Sequence, residues 1–244
     1  RSMINIQIWS DIMCPFCYIG KRRLESAIAQ FEYKNAVTIE WKSFQLDANF
    51  VASKEDSLVE HLAEKYRKDT DWAQQMLDDM TQNAKNVGLD FHFEKAKMAN
   101  SYNAHRLLHL AKEKEVADSL KELLFKAYLT DGLDINNIAV LTALGKEVGL
   151  EEESINSVLS SDKFGDAVRK DQQEAQAIGI QGVPFFVLNN KYAISGAQYP
   201  ETFLNALKQI WEEVENTSIN TEADNSCCGI DGCNQKAMDI KNKT

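Results

Sequence analysis

Hydrophobic and polar positions alternate at both ends of the chain and recur at helical spacing between them. Ile4, Ile6 and Ile8 alternate with Asn5 and Gln7, a strand pattern. Leu24, Ile28 and Phe31 then repeat at helical spacing, with Lys21, Arg22, Arg23 and Glu25 expected to face mostly outward. Val37, Ile39 and Trp41 alternate with Thr38, Glu40 and Lys42, predicting a second strand to about Leu46. Strand, helix and strand in that order make a βαβ unit with a right-handed crossover.

From about Lys54 the period turns helical and stays so to Gly179. Leu58, Leu62 and Tyr66 mark one helix. Trp72, Met76, Met80, Ala84 and Val87 mark another, closed by Gly88, and its Trp72–Met76–Met80 stripe is expected to be core. Further helices are predicted over 102–114, 116–129, 137–148, 152–160 and 164–178, with stops at Gly132, Gly149 and Gly179. Leu89–Phe93 is expected to be a short extended link. No proline interrupts this stretch. After Gly179 the pattern returns to strand, turn, strand: 182–188, Asn189-Asn190-Lys191 and 192–196 form a hairpin. Pro200 opens a closing helix that buries Phe203, Leu204, Leu207, Ile210 and Trp211. Beyond Glu215 the composition becomes polar. The expected organisation is an α/β domain from 3–50 and 179–215, an all-helical insertion over 51–178, and a polar, cysteine-bearing tail over 216–244.

The chemistry concentrates where the first strand meets the first helix. Cys14-Pro15-Phe16-Cys17 puts a thiol at a helix N-terminus, where unpaired N–H groups and the macrodipole favour thiolate. Pro15 suits the first helical position, since its absent N–H would have no partner there. Cys14 is expected to be the exposed thiol and Cys17 the inner one. The remaining cysteines, Cys227, Cys228 and Cys233, lie in the tail. A CxxC could also be half of a zinc site.

Among 244 residues the net charge is −10, with acidic and basic residues interspersed, which argues against nucleic-acid and anionic-membrane partners. No apolar run approaches the roughly 20 residues of a membrane span. Arg1-Ser2 reads as an extension ahead of a native start at Met3, and the strand begins at once with no signal peptide. A cytoplasmic location is therefore expected, where paired cysteines are more often catalytic, redox-sensing or metal-binding than structural.

Cys14-Pro15-Phe16-Cys17 after a first strand, a long helical insertion and Gly182-Val183-Pro184 before a hairpin resemble DsbA-type thioredoxin-fold oxidoreductases. Asp11-Ile12-Met13-Cys14-Pro15-Phe16-Cys17-Tyr18-Ile19-Gly20 and Asn100-Ser101-Tyr102-Asn103-Ala104-His105-Arg106-Leu107-Leu108 are similar to the cytosolic FrnE-like branch. The resemblance implies a thioredoxin fold interrupted by a helical insertion, with Pro184 in a cis peptide beside the thiols and Val183 offering a backbone edge to substrate. It implies a thiol:disulfide oxidoreductase acting on protein or small-molecule disulfides and dithiols, with Cys14 as nucleophile and Cys17 as resolving thiol. No cofactor is required, and glutathione is a candidate reductant or ligand. Phe16 stands where the periplasmic DsbA subgroup carries histidine, and it cannot hydrogen-bond a thiolate. A couple less oxidising than DsbA's roughly −120 mV is expected.

Two rival functions remain open at this point. One is a glutathione-dependent transferase or isomerase, for which Asn103, His105 and Arg106 would be ligand-binding candidates. The other is a thiol-based redox or metal sensor using the tail. Cys228 and Cys233 would form a second redox pair, or Cys227, Cys228 and Cys233 a soft-metal site. The sequence carries no signal for oligomeric state.

Overall fold

The computed structural model describes residues 3–53 and 57–224, with side chains described to Thr217. Strand β1 (Ile4–Ser10) leads through helix α1 (Pro15–Gln30) to β2 (Val37–Ser43), and β3 (Phe185–Leu188) and β4 (Tyr192–Ser195) complete a four-stranded sheet. The order is β2-β1-β3-β4, with β1 and β2 parallel and β3 antiparallel to both its neighbours. Asn189 and Asn190 both take positive φ in the hairpin turn, a conformation asparagine tolerates well.

The alternation of β1 divides its side chains between two packed layers. Ile4, Ile6 and Ile8 face α1 and the closing helix α9 (Pro200–Asp224), in a cluster with Leu24, Phe186, Phe203 and Leu207. Trp9 points the other way, onto Ala175 of α8 (Gly165–Ile178), and its indole donates to the Asp171 carbonyl at 2.9 Å. Asp171 also accepts from the Ser43 amide at 2.8 Å and meets His109 at 3.0 Å. The last helix of the insertion is thereby fixed to the sheet.

Between β2 and β3 the described residues form only helices: α2 (Leu58–Tyr66), α3 (Thr70–Asn86), α4 (Tyr102–Glu113), α5 (Ala117–Leu129), α6 (Ile138–Glu147), α7 (Glu152–Leu159) and α8. Their core is continuous with the start of α1: Ile12, Cys14, Cys17 and Tyr18 pack with Leu107, Leu124, Phe125 and Tyr128. Tyr18 stacks on Phe125 at 4.9 Å. The thiol pair thus lies where the sheet layer and the helical layer meet.

Four expectations from the sequence need correction. The closing helix runs on to Asp224, past the change of composition at Glu215. That change marks the end of the buried face, whose last fully buried residue is Ile210, and not the end of helical backbone. Trp72 is 38% exposed and Met76 half-buried, so only Met80 of that stripe belongs to the core. The face is too far round α3 to be covered fully by its neighbours, and with Phe16 it lines an open groove. Lys21 is buried, because α5 brings Glu122 to 3.0 Å and Asp118 to 3.7 Å from its ammonium. The second strand ends at Ser43, where the chain turns toward α8.

Candidate functional site

Cys14 is the N-cap residue of α1 and Pro15 its first helical residue. Their loop is held from below by Asp11, whose carbonyl accepts from the Cys14 amide at 3.1 Å. Across from them the chain re-enters the sheet through a cis Val183–Pro184 peptide. The Cys14 thiol donates to the Val183 carbonyl at 3.5 Å. Gly20, one turn and a half into α1, makes this approach feasible: a Cβ there would sit 3.1 Å from Pro184 Cγ.

Both cysteines are free thiols. Cys14 was expected to be exposed but is only 6% so, since Val183 and the helical layer close over it; Cys17 is 1% exposed. Burial pushes the Cys17 thiol well up, and the neighbouring Cys14 sulfur adds to this, while the Asp11 backbone acts in the opposite direction. Phe16 is 37% exposed and offers no polar group to either sulfur.

Beneath the thiols lies a buried polar layer, of which the sequence singled out His105 alone, as a ligand candidate. Burial alone would raise the Asp11 carboxyl, but His105 at 3.1 Å, the Leu46 amide at 2.9 Å and Ser101 outweigh it and hold the group below the usual carboxylate range. Burial lowers His105, so the pair is a carboxylate accepting from a neutral imidazole. Lys121 from α5 is 1% exposed, with its ammonium 5.2 Å from the centres of both the Trp41 and the Phe125 rings. Burial brings its pKa down to about 8, against the opposing pull of Cys17, Asp11 and Cys14. An ammonium from the insertion therefore interacts electrostatically with the two sulfurs and with Asp11.

Of the ligand candidates on α4, His105 is fully buried against Asp11. Arg106 is buried too, and donates to the carbonyls of Val158 and Lys163 at 2.6 and 3.0 Å and to Asn103 at 2.8 Å. Its guanidinium ties α4 to the end of α7. Asn103 borders a separate open pocket with Asn136 and Arg169. Cys227, Cys228 and Cys233 lie outside the described residues. Among the described residues, no three His, Cys, Asp or Glu side chains converge as a metal site.

Residues 5–208 match the DSBA-like thioredoxin domain family, which is most of the chain. The chain belongs to that family. Among solved DSBA-like relatives, a probable DsbA oxidoreductase from Streptomyces coelicolor is 36% identical, with a TM-score of 0.80 over 86% of this chain and 91% of that one. YwbO of Bacillus subtilis is 28% identical over 207 residues, 84% of this chain and 96% of the relative. The cytosolic disulfide reductase DsbM of Pseudomonas aeruginosa, solved with GSH, is 15% identical with a TM-score of 0.60, covering 85% of this chain and 99% of that one, a likeness of fold. The DSBA-like fold with its helical insertion accounts for the element order described above.

Proposed function

We propose that the protein is a thiol:disulfide oxidoreductase in which Cys14 is the nucleophile and Cys17 the resolving thiol. The observation that carries this reading is the opposition of two elements distant in sequence: Cys14 at the N-cap of α1 meets the Val183–Pro184 edge, with Cys17 one turn deeper. In the reducing direction, the Cys14 thiolate attacks one sulfur of a substrate disulfide and expels the other as thiolate. Cys17 then attacks the Cys14 sulfur of the mixed disulfide and expels the second substrate thiolate. Two electrons pass to the substrate and the protein is left as the Cys14–Cys17 disulfide. The oxidising direction is the reverse.

The electrostatics support an order to these steps. The Cys14 sulfur is one cause of the raised Cys17 thiol, alongside burial. Once Cys14 is tied up in a mixed disulfide its thiol and charge are gone, and that part of the obstacle to ionising Cys17 goes with them. Lys121 favours the Cys17 thiolate when it forms. In this reading the Val183 backbone edge pairs with an extended substrate chain. The cytoplasm is the compartment this reading assigns, with glutathione as a candidate reductant; the cytosolic relative solved with GSH supports both.

Insulin-disulfide reduction and refolding of a scrambled protein test the proposal. Cys14→Ser should abolish both activities. Retention of both would refute it.

A further inference from the structure

A cavity of about 490 Å³ opens between the loop after β2, helix α2 and the loop that leads into Cys14, which it reaches at Asp11 and Met13. Its walls are apolar: Met13, the residue before Cys14, with Phe50, Leu58, Leu62 and Met98. Its floor contains Tyr128 from α5 and Asp11. Tyr128 is 2% exposed, and no hydrogen bond reaches its hydroxyl from any described residue. The hydroxyl is not one of the sealed, unpaired polar atoms among the described residues, so it opens onto the cavity as a donor for whatever occupies it. Asp11, by contrast, is already satisfied by His105, the Leu46 amide and Ser101.

The chemistry of the floor selects the ligand. Burial, with the Asp11 carboxylate and the Cys14 sulfur nearby, pushes the Tyr128 phenol up, so it stays a neutral donor. The ionised Asp11 disfavours any anion at the inner end. Both signs of charge occur at the mouth, in Asp47, Glu64 and Lys65, and select nothing there. The volume is within the range of small-molecule sites, roughly 300–1,000 Å³.

We propose that this cavity binds the organic group of a low-molecular-weight disulfide substrate: an apolar body carrying an uncharged oxygen acceptor for Tyr128, with its sulfur left at Cys14. This rests on the oxidoreductase reading and names a substrate class for it. The exchange is the one written above. The reduced pair supplies both electrons, and the substrate leaves as two thiols.

Binding is measured separately from redox chemistry, in the Cys14→Ser/Cys17→Ser protein. By calorimetry 2-acetylnaphthalene should bind there and naphthalene-2-carboxylate at least tenfold more weakly. Tyr128→Phe keeps the ring and should weaken 2-acetylnaphthalene about fivefold, the value of one hydrogen bond. Leu62→Trp fills the cavity from the half-buried face of α2 and should abolish binding. In single-turnover reactions of the reduced, cysteine-intact protein, Leu62→Trp should lower the ratio of rates for bis(4-acetylphenyl) disulfide over glutathione disulfide at least tenfold. Absence of binding, preference for the carboxylate, or indifference to both substitutions would overturn the site while leaving the oxidoreductase reading intact if glutathione disulfide is still reduced. Binding as expected with no exchange of either disulfide would overturn the oxidoreductase reading, and the substrate assignment with it.

Discussion

Lys121→Met should make the protein more stable at neutral pH while making Cys17 harder to ionise. The substitution removes a buried ammonium and keeps most of the side chain's apolar volume against Trp41 and Phe125. A lysine titrating at about 8 in place of 10.5 carries a folding penalty whose ceiling is about 3 kcal/mol. The unfolded lysine keeps its proton up to about pH 10.5 and the folded one only to about 8. The penalty is therefore fully present below pH 8 and fades as pH rises toward 10.5. Some of the gain is lost, because Asp11 loses a countercharge, although its hydrogen bonds to His105 and the Leu46 amide remain. We expect a net stabilisation of roughly 1–3 kcal/mol at pH 7, shrinking above pH 8, by urea denaturation across that range. The same substitution in a Cys14→Ser background should shift the pH profile of Cys17 alkylation to higher pH. Destabilisation at pH 7, or an unmoved alkylation profile, would refute the reasoning.

Other outcomes follow from the same geometry. Arg106→Met should destabilise the protein by about 2–4 kcal/mol in chemical denaturation, since the carbonyls of Val158 and Lys163 lose a buried donor. Asp11→Asn should flatten the acid limb of stability. The depressed Asp11 carboxyl contributes stability that is present above its unfolded value near 3.8 and lost as pH falls through its lower folded one, which acid titration of both proteins by circular dichroism would follow. Redox equilibration with glutathione should give a potential below DsbA's roughly −120 mV, because Phe16 supplies no donor to a Cys14 thiolate.

Local pattern was enough to read the outline of the fold. The alternation of Ile4, Ile6 and Ile8 with polar neighbours, the Asn-Asn turn and the glycine stops each act within a few residues of themselves. The CxxC and Gly182-Val183-Pro184 were legible because each has a distinctive local signature, although only the fold brings them together. The buried polar layer was not legible. Lys121 precedes Glu122 on an amphipathic helix and reads as a solvated pair, yet α5 turns the lysine inward and leaves the glutamate to Tyr18 and Arg22. Asp11 and His105 each fall in a motif, but nothing local says that they meet across 94 positions. Tyr128 has no local signal at all; only the fold puts it on the floor of a cavity. Trp72 misled in the opposite sense, because helical spacing identifies a face without saying what covers it.

The most direct test of the central claim is a trapping experiment. Reduced Cys17→Ser protein is mixed with a disulfide-bonded polypeptide, quenched in acid and mapped by mass spectrometry without reductant. Without a resolving thiol, the first exchange should stop at a mixed disulfide on Cys14, stable until dithiothreitol releases it. A trapped adduct mapping to any of the tail cysteines in place of Cys14, or no adduct at all, would contradict the account.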